Sequence, residues 1–139
     1  MFIDASVIVA ILGREPGAEE IEKRLAVTAG PFFISPLVRF EASVSLARLK
    51  AGKEMKPSPE MVGASRRAVE AFVEGLDAEE MAISSEIGDL ALETAMRYGK
   101  VVGHPADLNF GDCFAYACAK AGRLPLLYKG IDFAETDLA

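Results

Sequence analysis

Four acidic side chains in this sequence come just after a short apolar run or close to the start of a predicted helix. They are Asp4, Glu41, Asp112 and Asp132. Because strand ends and the helices that follow them share one edge of a parallel sheet, we expect the four carboxylates to converge there. Carboxylates gathered in one crevice repel one another, and a divalent cation relieves that repulsion. Oxygen ligands without Cys or His favour Mg²⁺ or Mn²⁺ over Zn²⁺ or Cu²⁺.

A hard cation at such a site would supply hydrolytic chemistry. It lowers the pKa of a bound water to make a nucleophile, and it stabilises an oxygen leaving group. The four acids therefore indicate metal-assisted hydrolysis of a phosphate ester. The sequence has no Walker A loop and no Gly-x-Gly-x-x-Gly motif that would cradle a nucleotide. Its one histidine, His104, falls in a predicted loop without a partner nucleophile motif, so we expect it to be non-catalytic.

The acids also have structural alternatives. Asp4 or Ser6 could simply cap the first helix, since both residue types are preferred at that position. Asp112 lies near the start of an apolar helix, where the helix dipole favours a negative charge. Asp107 or Asn109 would be a more natural cap for that helix, so we expect Asp112 to have no structural task.

The elements that must position these acids alternate between strands and helices. Short apolar runs predict buried strands, and amphipathic stretches opened by Ser-Pro or closed by glycine predict helices. The predicted strands are 1–3, 32–34, 81–83 and 126–128, and the predicted helices begin near residues 5, 18, 37, 59, 86 and 108. This order predicts a three-layer α/β/α fold with a central parallel sheet and helices on both faces. The expected buried stripe of the third helix is Leu37, Phe40, Val44 and Ala47, with Glu41 beside it.

Composition indicates a globular protein. At 139 residues the chain suits one domain, expected to span 1–139, and 51% of its residues are hydrophobic, enough for a core. No apolar run is long enough to predict a membrane span, and the acid at position 4 argues against a signal peptide. Cys113 and Cys118 fall on different faces of one predicted helix, which argues against a mutual disulfide. A cytoplasmic protein is the expectation.

The charge of the chain is uneven. A net charge of −6 argues against nucleic-acid binding through a generally basic body. Between Arg39 and Arg67, however, seven basic residues stand against three acidic ones, a local charge of +4. Charged helix faces are commonly just solvated, so the pattern alone assigns no function to this stretch.

Four blocks of the sequence carry a family resemblance. The first is Phe2-Ile3-Asp4-Ala5-Ser6, and the second is Glu41 after a strand and a proline. The third and most specific runs from His104-Pro105-Ala106 through Leu108-Asn109-Phe110-Gly111-Asp112-Cys113-Phe114-Ala115-Tyr116, and the last is Lys129-Gly130-Ile131-Asp132-Phe133. With these blocks, which span nearly the whole chain, the sequence resembles the PIN-domain ribonucleases, and more closely the VapC toxins of bacterial type II toxin–antitoxin modules.

The resemblance implies roles for individual residues and partners for the chain. The acidic metal-binding quartet of the family corresponds to Asp4, Glu41, Asp112 and Asp132, with Ser6 and Asn109 as supporting polar residues. The family varies at the position of Asp132. The resemblance further implies a homodimeric toxin that cleaves an RNA substrate with Mg²⁺ or Mn²⁺ and is silenced by a cognate VapB-type antitoxin. On that basis the candidate RNA-binding residues of the basic stretch are Arg48, Lys50, Lys53 and Lys56.

Two alternatives remain open at this point. A haloacid-dehalogenase-type phosphatase also begins with an Asp at a strand end, but its motif needs a second Asp two residues on, where this chain has Ser6. The other alternative is an inactive interaction module that kept a PIN-like fold, and the presence of all four acids argues against it.

Overall fold

The computed structural model describes residues 1–138. Its strands are β1 (Phe2–Ile3), β2 (Phe33–Ile34), β3 (Glu79–Glu80) and β4 (Leu126–Leu127). Its helices are α1 (Ala5–Leu12), α2 (Ala18–Val27), α3 (Pro36–Ala51), α4 (Pro59–Gly75), α5 (Ser85–Tyr98) and α6 (Phe110–Gly122). A short 3₁₀ helix, Lys100–Val102, follows α5.

The four strands form one parallel sheet in the order β3-β2-β1-β4. In its centre, β1 pairs with β2 through the Phe33 amide and the Met1 carbonyl oxygen (2.9 Å), and with β4 through the Phe2 amide and the Pro125 carbonyl oxygen (2.8 Å). Because all strands run the same way, their carboxyl ends share one edge. The predicted α/β fold with a central parallel sheet is confirmed.

Packing, more than strand pairing, holds this sheet together. Each strand is only two residues long, so its ladder contributes few hydrogen bonds. The strand side chains Phe2, Ile3, Ile34 and Leu127 are fully buried in one hydrophobic core. Burying an apolar side chain of this size stabilises a fold by about 1.5–3 kcal/mol. The core therefore fixes where each strand ends, and with it the residue that follows.

Serine caps begin three helices close to their predicted starts. The hydroxyl oxygens of Ser35, Ser58 and Ser84 each accept a hydrogen bond from the amide three residues on, at 3.2 Å. A proline occupies the first turn of α3 and of α4, where its missing amide hydrogen is not needed. The start of α3, which carries Glu41, is set by this local chemistry.

The third strand was predicted too late in the chain. Residues 81–83 were expected to form it, but β3 is Glu79–Glu80, and both glutamates are exposed. Their strand is held by the Glu79 amide, which donates to the Phe32 carbonyl oxygen (2.8 Å), and by the Met81 amide, which donates to that of Ile34 (2.8 Å). An edge strand with charged side chains resists pairing with other chains, so hydrophobicity does not reveal it.

The buried face of α3 also differs from the prediction. Phe40 is 67% exposed, and Leu37 and Val44 are only partly buried. The buried residues are instead Val38, Ala42, Ser43, Leu46 and Ala47. Since α3 packs against α1, α4 and α6, small side chains on its inner face allow the close approach that larger ones would prevent. Of the predicted stripe only Ala47 is buried.

Two further sequence predictions concern the membrane and the cysteines. None of the helices in residues 1–138 is both long and apolar enough to cross a membrane. Cys113 and Cys118 are both free and buried, which confirms that they do not pair with each other.

Candidate active site

Asp4 follows β1 directly and begins α1. Its amide donates to the Leu127 carbonyl oxygen in β4 (3.0 Å), which places it at the carboxyl edge of the sheet. Its carboxylate oxygen Oδ2 accepts hydrogen bonds from the Ser6 amide (2.9 Å) and from the Ser6 hydroxyl. Asp4 is only 5% exposed, and burial raises its pKa against the lowering effect of these bonds. One residue is therefore both the helix cap and a buried acid at the predicted edge.

Asp112 and Asn109 begin α6 as a reciprocal pair. The Asp112 amide donates to Asn109 Oδ1 (3.0 Å), and the Asn109 amide donates to Asp112 Oδ2 (2.8 Å), which forms a capping box. The expectation that Asp112 has no structural task is wrong, because its carboxylate satisfies an otherwise unpaired helix amide. Burial, together with the charges of Asp4 and Asp132, nevertheless raises the pKa of Asp112 to about 6.

Glu41 reaches the same place from α3. It lies in the second turn of that helix and is partly buried. Its carboxylate packs against Gly111, where an added Cβ would overlap both carboxylate oxygens. Burial first, and then the charges of Asp4 and Asp112, raise the pKa of Glu41 to about 7. Three carboxylates from three elements thus meet, and the charge of Asp4 makes both Glu41 and Asp112 harder to ionise.

Asp132 approaches this group from the loop after β4. Its side chain is exposed, and its charge contributes to the raised pKa of both Asp4 and Asp112. The loop is joined to α1 where the Lys129 amide donates to the Ser6 hydroxyl oxygen (3.0 Å). The structure therefore brings all four predicted acids to one edge of the sheet, with Ser6 and Asn109 bonded to two of them.

The donor chemistry of this edge fits a hard divalent cation. Buried carboxylates that repel one another are stabilised when a cation neutralises them. Among residues 1–138, no group of three Asp, Glu, His or Cys side chains is gathered closely enough to enclose an ion alone. Mg²⁺ keeps several of its waters and is typically held by one or two carboxylates plus substrate phosphate oxygens. The open arrangement of these acids suits that ion better than one needing a closed protein cage.

The predicted basic residues are not brought to the acids. Arg48 and Lys50 lie in the last turn of α3, and Lys53 and Lys56 in the loop that follows, all exposed. Because α3 starts at the acidic edge and runs away from it, Arg48 is about 10 Å beyond Glu41 along the axis, at 1.5 Å per residue. These residues could contact only a part of a ligand that extends well beyond the acids.

His104 lies in a loop, as predicted. Its Nδ1 accepts a hydrogen bond from the Ala106 amide (3.1 Å), and its ring meets the edge of Tyr98 with centroids 5.3 Å apart. Both contacts stabilise the turn between α5 and α6. That it has no catalytic role stays a prediction.

A large cavity lies beside the acids rather than among them. It is an apolar groove of about 840 Å³ between α5, the 3₁₀ helix and α6. Its lining includes Leu92 (67% exposed), Val101 (82%) and Phe110 (70%), and Asn109 stands at its edge. We call it the α5–α6 groove. So much exposed apolar surface on a small protein commonly marks a binding face.

Sequence reasoning missed two features of the site. Gly111 leaves the space that the Glu41 carboxylate occupies. A glycine inside an otherwise helical pattern is the only local signal for it. The second is the ion pair between Lys129 and Glu15, two residues far apart in the chain. The sequence around either residue does not predict this ion pair.

A parallel α/β sheet with a group of mutually repelling acids at its carboxyl edge defines the structural class of this protein. The PIN domain family model matches residues 1–138. A VapC ribonuclease of Rhizobium meliloti is 53% identical over 139 residues, covering 99% of this chain and 98% of the relative. Ribonuclease VapC42 of Mycobacterium tuberculosis is 32% identical over 138 residues, covering 99% and 96%.

Two solved structures share the fold. One is VapC20 of Mycobacterium tuberculosis, described as a sarcin-ricin loop cleaving toxin, with a TM-score of 0.72, 16% identity and coverage of 96% of this chain and 92% of that one. The other is a toxin-antitoxin complex from Klebsiella pneumoniae, with a TM-score of 0.67, 16% identity and coverage of 99% and 92%. The chain belongs to the PIN-domain family and, within it, to the VapC group. The phosphatase alternative is therefore wrong.

Proposed function

We propose that this chain is an endoribonuclease that hydrolyses RNA phosphodiester bonds with Mg²⁺ or Mn²⁺ as the toxin of a VapBC-type module. The observation that carries the proposal is the group of three carboxylates at the end of β1, in α3 and in α6. Burial raises the pKa of each, and the charge of Asp4 further raises the pKa of Glu41 and of Asp112. Relatives over nearly the full length are named VapC ribonuclease. We further propose that 1–139 form a single nuclease domain.

The four acids would share the ion, with one or two of them as direct ligands beside substrate phosphate oxygens. Asp4 and Asp112 make their side-chain hydrogen bonds through Oδ2, which leaves Oδ1 of each to serve as a ligand. Ser6 and the Asn109 amide fix these two carboxylates, while Glu41 and Asp132 complete the negative edge. When bound, the ion supplies an activated water and stabilises the leaving oxygen of a phosphodiester.

Protons and the ion compete for this edge. Glu41, with a pKa of about 7, and Asp112, with a pKa of about 6, are partly protonated in weakly acidic solution. A protonated carboxyl is a poor ligand, so we expect ion affinity and activity to rise from pH 6 to pH 8. Glu41 and Asp112 would therefore release protons when the ion binds.

RNA and an antitoxin are the proposed partners. An acidic edge cannot attract a phosphate chain by itself, so the substrate needs cations from the ion and from the protein surface. The exposed basic set could supply them to a stretch of RNA away from the scissile bond, or could instead contact a VapB-type antitoxin. Its members are Arg48, Lys50, Lys53 and Lys56. One solved structure of the same fold is a toxin-antitoxin complex.

A homodimer formed across the α5–α6 groove is the proposed assembly. One face of α5 carries Asp89 near its start and Leu92 and Met96 further on, all exposed, and exposed Lys100 follows. A two-fold axis that crosses this face would set the acidic end of one copy against the basic end of the other, with the apolar residues between them. Size-exclusion chromatography with light scattering tests this assembly, and a monomeric wild type would contradict it.

We also propose a cytoplasmic location. The free, buried Cys113 and Cys118 suit a reducing compartment, where thiols stay unpaired. Fractionation of cells that express the protein tests this, and recovery outside the cytoplasm would contradict it.

The test of the proposed activity incubates purified protein either with RNA or with a phosphomonoester. Each substrate is tested with Mg²⁺, with Mn²⁺ and with chelator. We expect cleavage of RNA with either ion, none in chelator, and none of the phosphomonoester. Absence of metal-dependent RNA cleavage by folded protein would support the inactive module instead. Mapping the 5′ ends of cleaved RNA in cells after induction then identifies the substrate.

A further inference from the structure

Lys129 ties the loop that carries Asp132 to the first part of the chain. Its backbone amide donates to the Ser6 hydroxyl oxygen (3.0 Å), and its ammonium group forms an ion pair with Glu15. The side chains of Lys129 and Glu15 are 30% and 29% exposed, which makes this ion pair the most shielded one within residues 1–138.

Both sides of this connection rest on well-packed parts of the protein. The Glu15 amide donates to the Ala10 carbonyl oxygen (2.9 Å), which holds Glu15 against the end of α1. At the other end of the loop, Phe133 is fully buried, and its ring centroid lies 4.9 Å from that of Tyr128. Asp132 therefore lies between two anchors, one ionic and one apolar. The intervening Gly130 and Ile131 are exposed.

We propose that the Lys129–Glu15 ion pair positions the acidic site by holding residues 129–133 so that Asp132 stays beside Asp4 and Asp112. Lys129 also reaches Asp4 through Ser6, whose hydroxyl accepts from the Lys129 amide and donates to Asp4 Oδ2. This inference rests on the proposed metal-dependent function, because the place of Asp132 matters to an ion that the acids share.

A positioning role has a signature that an ordinary ion pair lacks. A pair that merely joins two surface segments changes stability slightly and leaves ion affinity unchanged. Loss of a group that orients metal ligands instead weakens metal affinity by roughly 10–100-fold. Because Lys129 acts through the loop rather than on a ligand directly, we expect a loss of about tenfold, at the lower end of that range.

The experiment measures Mn²⁺ affinity by calorimetry on folded full-length proteins. Glu15→Gln and Lys129→Met should each bind Mn²⁺ about tenfold more weakly than wild type, on the scale of other ligand-orienting groups. The double variant should be no weaker than either single variant, because both remove the same interaction. Lys129→Arg keeps the positive charge and should bind Mn²⁺ with the affinity of wild type. Glu20→Gln is the matched control, since it removes the exposed Lys23–Glu20 pair on α2 by the same chemical change.

A second readout needs no metal. In chelator, amide hydrogen exchange within 129–133 should be faster in Glu15→Gln than in wild type or Glu20→Gln, because the loop has lost one anchor. Wild-type Mn²⁺ affinity in folded Glu15→Gln and Lys129→Met would overturn the positioning role and leave the proposed function standing. A wild type that binds no Mn²⁺ would overturn both. If Lys129→Met does not fold, Glu15→Gln alone decides.

Discussion

Replacing Glu41 by Gln should stabilise the ion-free protein at neutral pH. Burial and the charges of Asp4 and Asp112 raise the pKa of Glu41 from 4.5 to about 7. A carboxyl that holds its proton more tightly when folded than when unfolded lowers stability as pH rises between those two values, because the unfolded state then binds fewer protons. The wild type should therefore lose stability between pH 4.5 and about 7. The variant with a neutral Gln should not show the part of this loss that comes from ionisation of Glu41.

The size of this effect follows from the interval between the two pKa values, about 2.5 pH units from 4.5 to about 7. At about 1.4 kcal/mol per unit, a fully buried group would contribute roughly 3.5 kcal/mol. Glu41 is only partly buried, so solvent screening reduces the expected gain to about 1–2 kcal/mol. For a domain of this size that corresponds to a melting temperature higher by about 4–8 °C.

Thermal and urea unfolding in chelator, between pH 4.5 and 8, measure the effect. The matched control is Glu54→Gln, the same substitution at an exposed position in the loop after α3. We expect the stability of the Glu41→Gln protein to exceed that of wild type most above pH 7 and to equal it near pH 4.5. The stability of the control should equal that of wild type at every pH. Equal declines with pH in Glu41→Gln and wild type would refute the conclusion that Glu41 is held among buried negative charges.

Three further predictions test other parts of the site. Asp112→Asn should lower RNA cleavage by at least about 100-fold, on the scale of other electrostatic catalytic groups, yet keep its circular dichroism, because an amide oxygen can still accept from the Asn109 amide. Gly111→Ala should weaken both Mn²⁺ stabilisation and cleavage by displacing the Glu41 carboxylate, whereas Gly63→Ala, which meets only the Arg67 side chain at 3.6 Å, should not. If the basic set follows RNA, each lost contact should reduce the salt dependence of binding by roughly 0.7 in log–log slope for single-stranded RNA, and an unchanged slope would exclude RNA contact. The residues to neutralise are Arg48, Lys50, Lys53 and Lys56.

Local chemistry made much of this structure predictable. The serine caps of α3, α4 and α5, and the short apolar runs before Asp4 and Ser35, depend on neighbours within a few residues, so they can be read from sequence. The capping box of α6 is local too. The spacing of Asn109 and Asp112 is that of a capping box, and overlooking it produced the wrong expectation for Asp112.

Contacts between distant segments could not be predicted from the sequence. The fit of Glu41 against Gly111 depends on how α3 and α6 pack, and no periodicity in either helix encodes it. The inner face of α3 was predicted from large apolar residues, but close packing favoured Ala42 and Ser43. At β3, two exposed glutamates form a strand because their backbone pairs with β2. The pattern of side chains does not predict this backbone pairing.

The pairing of β1 with β4 bears on when this protein can become toxic. Phe2 pairs with Leu126, so the central strand of the sheet leaves the ribosome long before its second neighbour exists. Until that neighbour emerges, the Asp4 amide lacks the Leu127 carbonyl oxygen, and Asp132 has not been made. Such long-range parallel pairing forms late and slowly. The acidic edge therefore cannot assemble on a nascent chain until residues 126–132 have left the ribosome.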